Sequence, residues 1–466
     1  MLRRDFMKLA GSAVFTGVAS SAFAQVVKDN KPNILFILAD DLGYGDLGCY
    51  GQQDIKTPHI DKLAAEGLRF TQHYAGSTVC APSRACLLTG QHTGHVHVRG
   101  NGEVMLRPSP DDITIAEVLK NAGYTTAMIG KSSVGCRATP ELSNEKGFDH
   151  FFGYISHGAA HHYFPEVLYR NGEKVHYPDN KLHEGTVYSQ DLFLDDTLRY
   201  LEEKRDKPFF LHLSLQIPHA SLYAPEKWKA KYRGQFEEKP TKQKHYRSEE
   251  EPRTTFAAMV SRMDHDIGLV IEKLKSLGLD SNTLVIFTSD NGAMHEGGHD
   301  RFFFNSSGPL RGGKRDMYEG GIRVPFIAWW PGRIAPGTTT DHPAAFWDFP
   351  ATACELAGAQ MPEKTDGISY LPTLLGRNDA QENHEYLYWE FHEQGGKRAV
   401  RFDNWKAVQT GMSKRPFEKI ELYNLADDIA EEHDIAADHP DVVTKVEEIF
   451  AKARTTCDMK QFNFPL

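Results

Sequence analysis

The chain has 466 residues, 40% of them hydrophobic and 25% charged, with a net charge of -10. That composition belongs to a globular protein with a large core, and the acidic balance argues against a nucleic-acid partner. It gives no long-range attraction for anions either, so an anion site here has to be built locally.

Met1 to Gln25 begins basic, continues through an apolar and small-residue run, and ends on Ala22-Phe23-Ala24, a small-x-small cleavage pattern. Arg3-Arg4-Asp5-Phe6-Met7-Lys8 resembles a twin-arginine export motif. The expectation is a leader over residues 1–24 and an exported protein, periplasmic or secreted. The continuous apolar run Asn33–Ala39 then fits a strand buried on both faces. Helical periodicity at Ile60–Glu66 and Ile113–Asn121 is followed by a short strand at Tyr124–Ile129. Tyr188–Glu203 reads as an amphipathic helix and Phe209–Ile217 as a strand. Pro225–Arg253, rich in charge, proline and glutamine, reads as a surface loop before a long helix over Thr254–Leu277. Strands at Leu284–Thr288 and Val324–Trp330 complete the alternation, which predicts an α/β fold around a mostly parallel sheet. Beyond about Gly376 the texture changes. Tyr386–Phe391 and Ala399–Val408 alternate like half-exposed strands, and Val442–Ala453 reads as a last helix. The expected organisation is a large unit over 25–376 and a small α+β subdomain with an antiparallel sheet over 377–466.

Two apolar strands end in acidic pairs, Asp40-Asp41 and Asp290-Asn291. Ligands of open α/β sheets bind beyond the carboxyl ends of the strands. Three carboxylates gathered there need a cation between them, and an all-oxygen donor set suits a hard one, calcium before magnesium. Each pair taken alone favours a turn or helix cap over a ligand. The six cysteines, Cys49, Cys80, Cys86, Cys136, Cys354 and Cys457, are scattered, without a CxxC pair or zinc spacing.

Cys80-Ala81-Pro82-Ser83-Arg84, continued by Ala85-Cys86-Leu87-Leu88-Thr89-Gly90, carries every fixed position of the signature C-x-P-S-R-x-x-x-L-T-G. On these residues the chain resembles the type I sulfatases of the alkaline phosphatase superfamily. The resemblance extends to Asn33–Gly45, to Ile217-Pro218-His219, to Phe287–Gly292 and to Leu310–Lys314 with Tyr318–Pro325. Glu421–Asp428 resembles that family's C-terminal subdomain. One segment departs: where many sulfatases read G-K-W-H-L-G, this chain reads Gly130-Lys131-Ser132-Ser133-Val134-Gly135, with serine in place of the histidine. Ser156-His157 and His161, in a histidine-rich stretch, are candidates to take its place.

The resemblance implies an alkaline-phosphatase-like α/β sandwich and hydrolysis of a sulfate ester. Cys80 would be oxidised to formylglycine (3-oxoalanine) by a formylglycine-generating or radical sulfatase-maturating enzyme. Calcium, with magnesium the lesser choice, would sit among Asp40, Asp41, Asp290, Asn291 and the modified Cys80. Arg84, Lys131 and Lys314 would neutralise the sulfate, and His219 or Lys314 would protonate the departing oxygen. With a helix starting near Pro82, Cys80 and Arg84 would converge on one anion at its N-terminus. The substrate would be a small or oligosaccharide sulfate ester, with Ser156, His157, His161, His299 and Asp300 as candidate contacts. A phosphonate or phosphate ester hydrolase of the same superfamily, and a catalytically silent sugar-binding homologue, are the alternatives. The sequence leaves the oligomeric state open.

Overall fold

The computed structural model describes residues 31–135, 139, 141–203 and 206–465. The expected leader over residues 1–24, and Cys136, lie outside them. An eleven-stranded sheet forms the centre. In chain order its strands are β1 (Asn33–Ala39), β2 (Leu68–Tyr74), β3 (Thr125–Gly135), β4 (His150–Ser156), β5 (Val167–Arg170), β6 (Glu173–His176), β7 (Phe209–Ser214), β8 (Thr283–Ser289), β9 (Arg323–Trp329), β10 (Thr338–Thr340) and β11 (Ala344–Ala345). Across the sheet they run β10-β2-β9-β8-β1-β7-β3-β4-β5-β6, with β11 beside β2. The five central strands, β8, β1, β7, β3 and β4, are parallel, and β9 and β5 flank them antiparallel.

β1 is buried on both faces, as its unbroken apolar run requires. Ile34, Phe36 and Leu38 enter one core cluster, with residues of the helices Cys80–Thr89, Ile115–Asn121 and Asp348–Ala357. Leu35, Ile37 and Ala39 enter the other, with the helices Pro58–Ala65, Ser189–Glu203 and Pro252–Ser276. The result is the expected sandwich of helices about a mostly parallel sheet.

Several boundaries moved, each for a local reason. The helix expected from Ile113 starts at Ile115, because Thr114 caps it: its Oγ1 accepts from Glu117 N–H while Glu117 answers to the Thr114 N–H. The strand expected over Ala399–Val408 is a hairpin of β13 (Lys397–Phe402) and β14 (Trp405–Gln409), turning at Asp403-Asn404, with Asp403 in the left-handed region (φ 49°). With β12 (Leu387–Phe391) and β15 (Ile420–Asn424) they form a four-stranded antiparallel sheet. One face of that sheet joins the main core through Leu387, Trp389 and Phe391, and Trp389 Nε1 donates to Ala75 O at 2.9 Å. Its other face packs on the helix Pro440–Lys452 through Tyr388, Val400 and Phe402.

Candidate active site

Three neighbouring strands of the parallel centre end together. Asp40 N–H donates to Ile217 O (3.2 Å) beyond β7, and Asp290 N–H donates to Ala39 O (3.1 Å). Asp41, in the left-handed region (φ 66°), donates its N–H to Asp290 Oδ1 at 3.0 Å. Asp40, Asp41, Asp290 and Asn291 thereby meet at one point, all 0% exposed. The signature helix runs Cys80–Thr89 and begins two residues before Pro82, so Cys80 is its first residue and Arg84 lies one turn on. Cys80 Sγ is 3.4 Å from Asp40 Oδ1 and 4.0 Å from Asp41 Oδ1.

Three buried cations enclose this cluster. Arg84 contacts Asp290 Oδ2 through Nε (2.9 Å) and Nη2 (2.8 Å). Its Nη1 donates to Lys131 O (3.1 Å) and to Ser214 Oγ, which donates to the same carbonyl at 2.6 Å. Lys131 Nζ is 2.6 Å from Asp40 Oδ2. The close approach of β3 to β7 requires Gly130, with φ at 113°, since a Cβ there would lie 1.9 Å from Ser214 O. Lys314 Nζ donates to Asp41 Oδ2 (2.7 Å) and Glu296 Oε2 (2.8 Å), and lies 3.2 Å from His219 Nε2. Burial pushes Asp40 up, but Lys131 and Arg84 outweigh it and hold the group below the ordinary carboxyl value. Asp41, pushed up by burial against the pull of Lys314, reaches about 7, and Asp290 is raised by burial and by Asp40. The three cations thus offset the burial of Asp40 but only partly that of Asp41 and Asp290. Asn291 Oδ1 is a buried acceptor without a partner among the described residues, and ligand-capable atoms of Asp40, Asp41, Cys80 and His219 lie within 4.8 Å of one another. The oxygen-rich set fits a hard divalent cation.

His219 Nε2 is 3.3 Å from Asp41 Oδ2, and its Nδ1 contacts Ala220 O. Its ring stacks on His161 (centroids 4.6 Å, 14°), which meets His157 edge-on at 5.0 Å. Burial, then Lys314 and Lys131, hold His219 well below the usual histidine value, so it is neutral. Ser156 closes β4 opposite Gly135, and His157 follows it. The β3–β4 register slips between Lys131 and Gly135, and Ser133 lies in that irregularity at φ 60°, its Oγ buried without a partner among the described residues. His299 and Asp300 are not brought to the cluster. His299 stacks on Phe256 (centroids 3.6 Å), and the half-exposed Asp300 pairs with Arg253 at 3.4 Å.

Glu296 was not singled out by sequence reasoning as a site residue. It holds both Lys314 and Arg315, and only its position six residues after Asp290 hinted at this. Asn101, whose Oδ1 accepts from Ala81 N–H (3.1 Å) at the start of the signature helix, had no sequence signal.

The chain resembles known proteins over most of its length. Residues 32–359 match the Sulfatase family, and residues 312–456 match the C-terminal region of N-sulphoglucosamine sulphohydrolase. The chain is 34% identical over 378 residues to N-acetylgalactosamine-6-sulfatase of Rattus norvegicus, covering 74% of this chain and 66% of that protein. To arylsulfatase A of Homo sapiens it is 35% identical over 409 residues, covering 81% and 74%. It therefore spans a little less than two thirds of the first of these relatives. Among solved structures, Ps i-CgsB in complex with k-i-k-neocarrahexaose superposes with a TM-score of 0.77 at 28% identity, covering 91% of this chain and 94% of that one. On the match to residues 32–359 and on these relatives, the chain belongs to the sulfatase family.

Proposed function

We propose that the protein hydrolyses a sulfate ester on a carbohydrate, using a formylglycine made from Cys80 and a calcium ion held by Asp40, Asp41, Asp290 and Asn291. The observation that carries this reading is the meeting of Cys80 with buried Arg84, Lys131 and Lys314 at the carboxylate cluster. As a thiol, Cys80 is a poor nucleophile: burial, then Asp40, push it well above the usual cysteine value, and the thiolate is the reactive form. The hydrated aldehyde of formylglycine would supply two hydroxyls on one carbon: one would lose its proton and bond sulfur as the S–O ester bond breaks, and the other would lose its proton as the C–O bond to sulfate breaks and the aldehyde returns. Calcium supplies Lewis-acid polarisation and lowers the pKa of a hydroxyl beside it.

The remaining work falls to side chains already in place. Arg84, Lys131 and Lys314 face the charge that grows on the sulfate oxygens, each held by a carboxylate and so needing no reorganisation. A carbonyl only accepts, so the His219 Nδ1 facing Ala220 O carries the hydrogen, and Nε2 is left to accept from Lys314. His219 thus orients Lys314, and Lys314 Nζ holds the proton for the departing ester oxygen.

Relatives named N-acetylgalactosamine-6-sulfatase, and the neighbour solved with k-i-k-neocarrahexaose, favour a sulfated sugar. The leader pattern in residues 1–24 favours export, and no helix among the described residues is long and apolar enough to cross a membrane. If the twin-arginine route carries the protein folded, a maturating enzyme oxidises Cys80 before export. The test is paired assay of 4-nitrophenyl sulfate and 4-nitrophenyl phosphate with wild type and Cys80→Ala. Sulfate hydrolysis that vanishes in the variant is expected. Phosphate turned over far faster than sulfate would make the protein a phosphate or phosphonate ester hydrolase instead, and no turnover of either a silent binder.

A further inference from the structure

The segment between Pro225 and Arg253, read from composition as a surface loop, carries residues to the candidate centre. Its second half closes on itself: Thr241 N–H donates to Glu249 O (2.9 Å) and Glu249 N–H to Thr241 O (3.3 Å). That pinch is anchored. The buried Glu249 pairs with Lys229 (2.9 Å) and Arg247 (3.2 Å), and Arg247 N–H donates to Ser221 Oγ (3.1 Å), two residues past His219.

The exposed His245 and half-buried Tyr246 at the tip are thereby held against the histidines of the centre. The His245 ring lies 5.8 Å from that of His161, and the Tyr246 ring lies 5.8 Å from His161 and 6.2 Å from His219. Both ring nitrogens of His161 are buried without a hydrogen-bond partner among the described residues. Such groups cost free energy unless something satisfies them. Flat rings pack on the C–H face of a sugar, and imidazole edges bond its hydroxyls. The Tyr246 and His245 rings stand at 52° and 87° to that of His161, so together they make a corner, and an apolar corner with a few convergent polar atoms suits an uncharged sugar ring beside a cationic cradle that takes its sulfate.

We propose that residues 241–249 form the sugar subsite of this centre, with Tyr246 and His245 joining His161 as the corner into which the sulfate-bearing ring fits. This rests on the sulfatase reading above and specifies how that reaction selects a sugar. Tyr246 and His245 are specificity residues, acting on the sugar and not on sulfur.

The test uses the matured full-length protein on a panel of sulfated monosaccharides and sulfated galactan oligosaccharides, on 4-nitrophenyl sulfate, and with inorganic sulfate as a competitive probe of the cradle alone. In Tyr246→Ala and His245→Ala, KM for the best sugar sulfate is expected to rise about tenfold, while the inhibition constant of inorganic sulfate stays within about twofold. Tyr246→Phe, which keeps the ring, should retain the wild-type KM. Unchanged KM in both alanine variants overturns the proposal. So does a sulfate inhibition constant that rises in step with KM, since the loop would then merely prop the cradle. Turnover of 4-nitrophenyl sulfate with no sugar sulfate accepted overturns the sugar subsite and leaves the sulfatase reading standing. Failure of the wild type on every sulfate ester removes that reading, and this inference with it.

Discussion

Lys314 Nζ and His219 Nε2 meet at 3.2 Å, and the contact of His219 Nδ1 with Ala220 O decides which of them carries the proton. The ring is the acceptor and the ammonium the donor. Burial alone would drive the proton off Lys314, but Asp41, with Cys80, Glu296 and Asp40 behind it, outweighs it and holds the group well above the usual lysine value. The lysine is therefore charged at neutral pH, where it both faces sulfate and has a proton to give.

Lys314→Ala should lower kcat on sulfate esters by about a hundredfold to a thousandfold, the usual effect of removing one preorganised donor. Across a series of aryl sulfates the loss should steepen as the leaving phenol becomes less acidic, because poor leaving groups need the proton most. A loss independent of the phenol would confine Lys314 to binding sulfate.

Chelation should abolish activity, and calcium should restore it. Because Asp41 and Asp290 are raised by burial and mutual charge, a bound cation should also stabilise the fold, by about 3 kcal/mol at a hundredfold excess over its Kd. Thermal unfolding with and without calcium checks this, and Asn291→Ala should shrink the calcium-dependent rise in Tm.

A buried charge triad ties the Tyr318–Pro325 segment to the C-terminal sheet. Lys406 Nζ lies 2.8 Å from Glu319 Oε1 and 3.3 Å from Glu431 Oε1. Burial pushes Glu319 up, but Lys406 and Arg323 outweigh it and hold it at about 2, whereas burial raises Glu431 to about 7 despite Lys406. The depressed Glu319 contributes stability above the unfolded value, lost as pH falls toward its folded pKa. The raised Glu431 contributes stability below the unfolded value, lost as pH rises through about 7. Together their contribution peaks near the unfolded glutamate value of about 4.3. Glu431→Gln mimics the protonated form, so its Tm relative to wild type should climb between about pH 5 and about pH 7.5. A difference in Tm that stays flat over that range would show that Glu431 does not titrate there.

Glu390, in β12, lies 2.7 Å from Arg99 and 2.8 Å from Arg454, all nearly excluded from water. Glu390→Ala would strand two buried guanidinium groups, at a cost of about 3–5 kcal/mol. Denaturant titration of the variant measures it directly.

The parts of the centre legible in sequence are those written locally. The run Asn33–Ala39 had to be a two-sided strand, and Asp40-Asp41 at its end therefore lay where such sheets bind ligands. The spacing of Cys80 and Arg84 placed both on one helical face. What was missed depends on contacts between residues far apart in sequence. Nothing near Tyr246 says that its ring will lie beside His219, and nothing near His299 says that it will stack on Phe256. The Asp403-Asn404 turn escaped notice because it lacks glycine, although the apolar phase shifts across it, from Val400 and Phe402 to Trp405 and Ala407.

The most direct test of the central claim is the mass of the tryptic peptide spanning residues 70–84 from protein matured in its own cell. The account expects position 80 to weigh as an aldehyde or its hydrate, with sulfate ester hydrolysis tracking that fraction. A peptide carrying only the thiol, from protein that still hydrolyses sulfate esters, would contradict it.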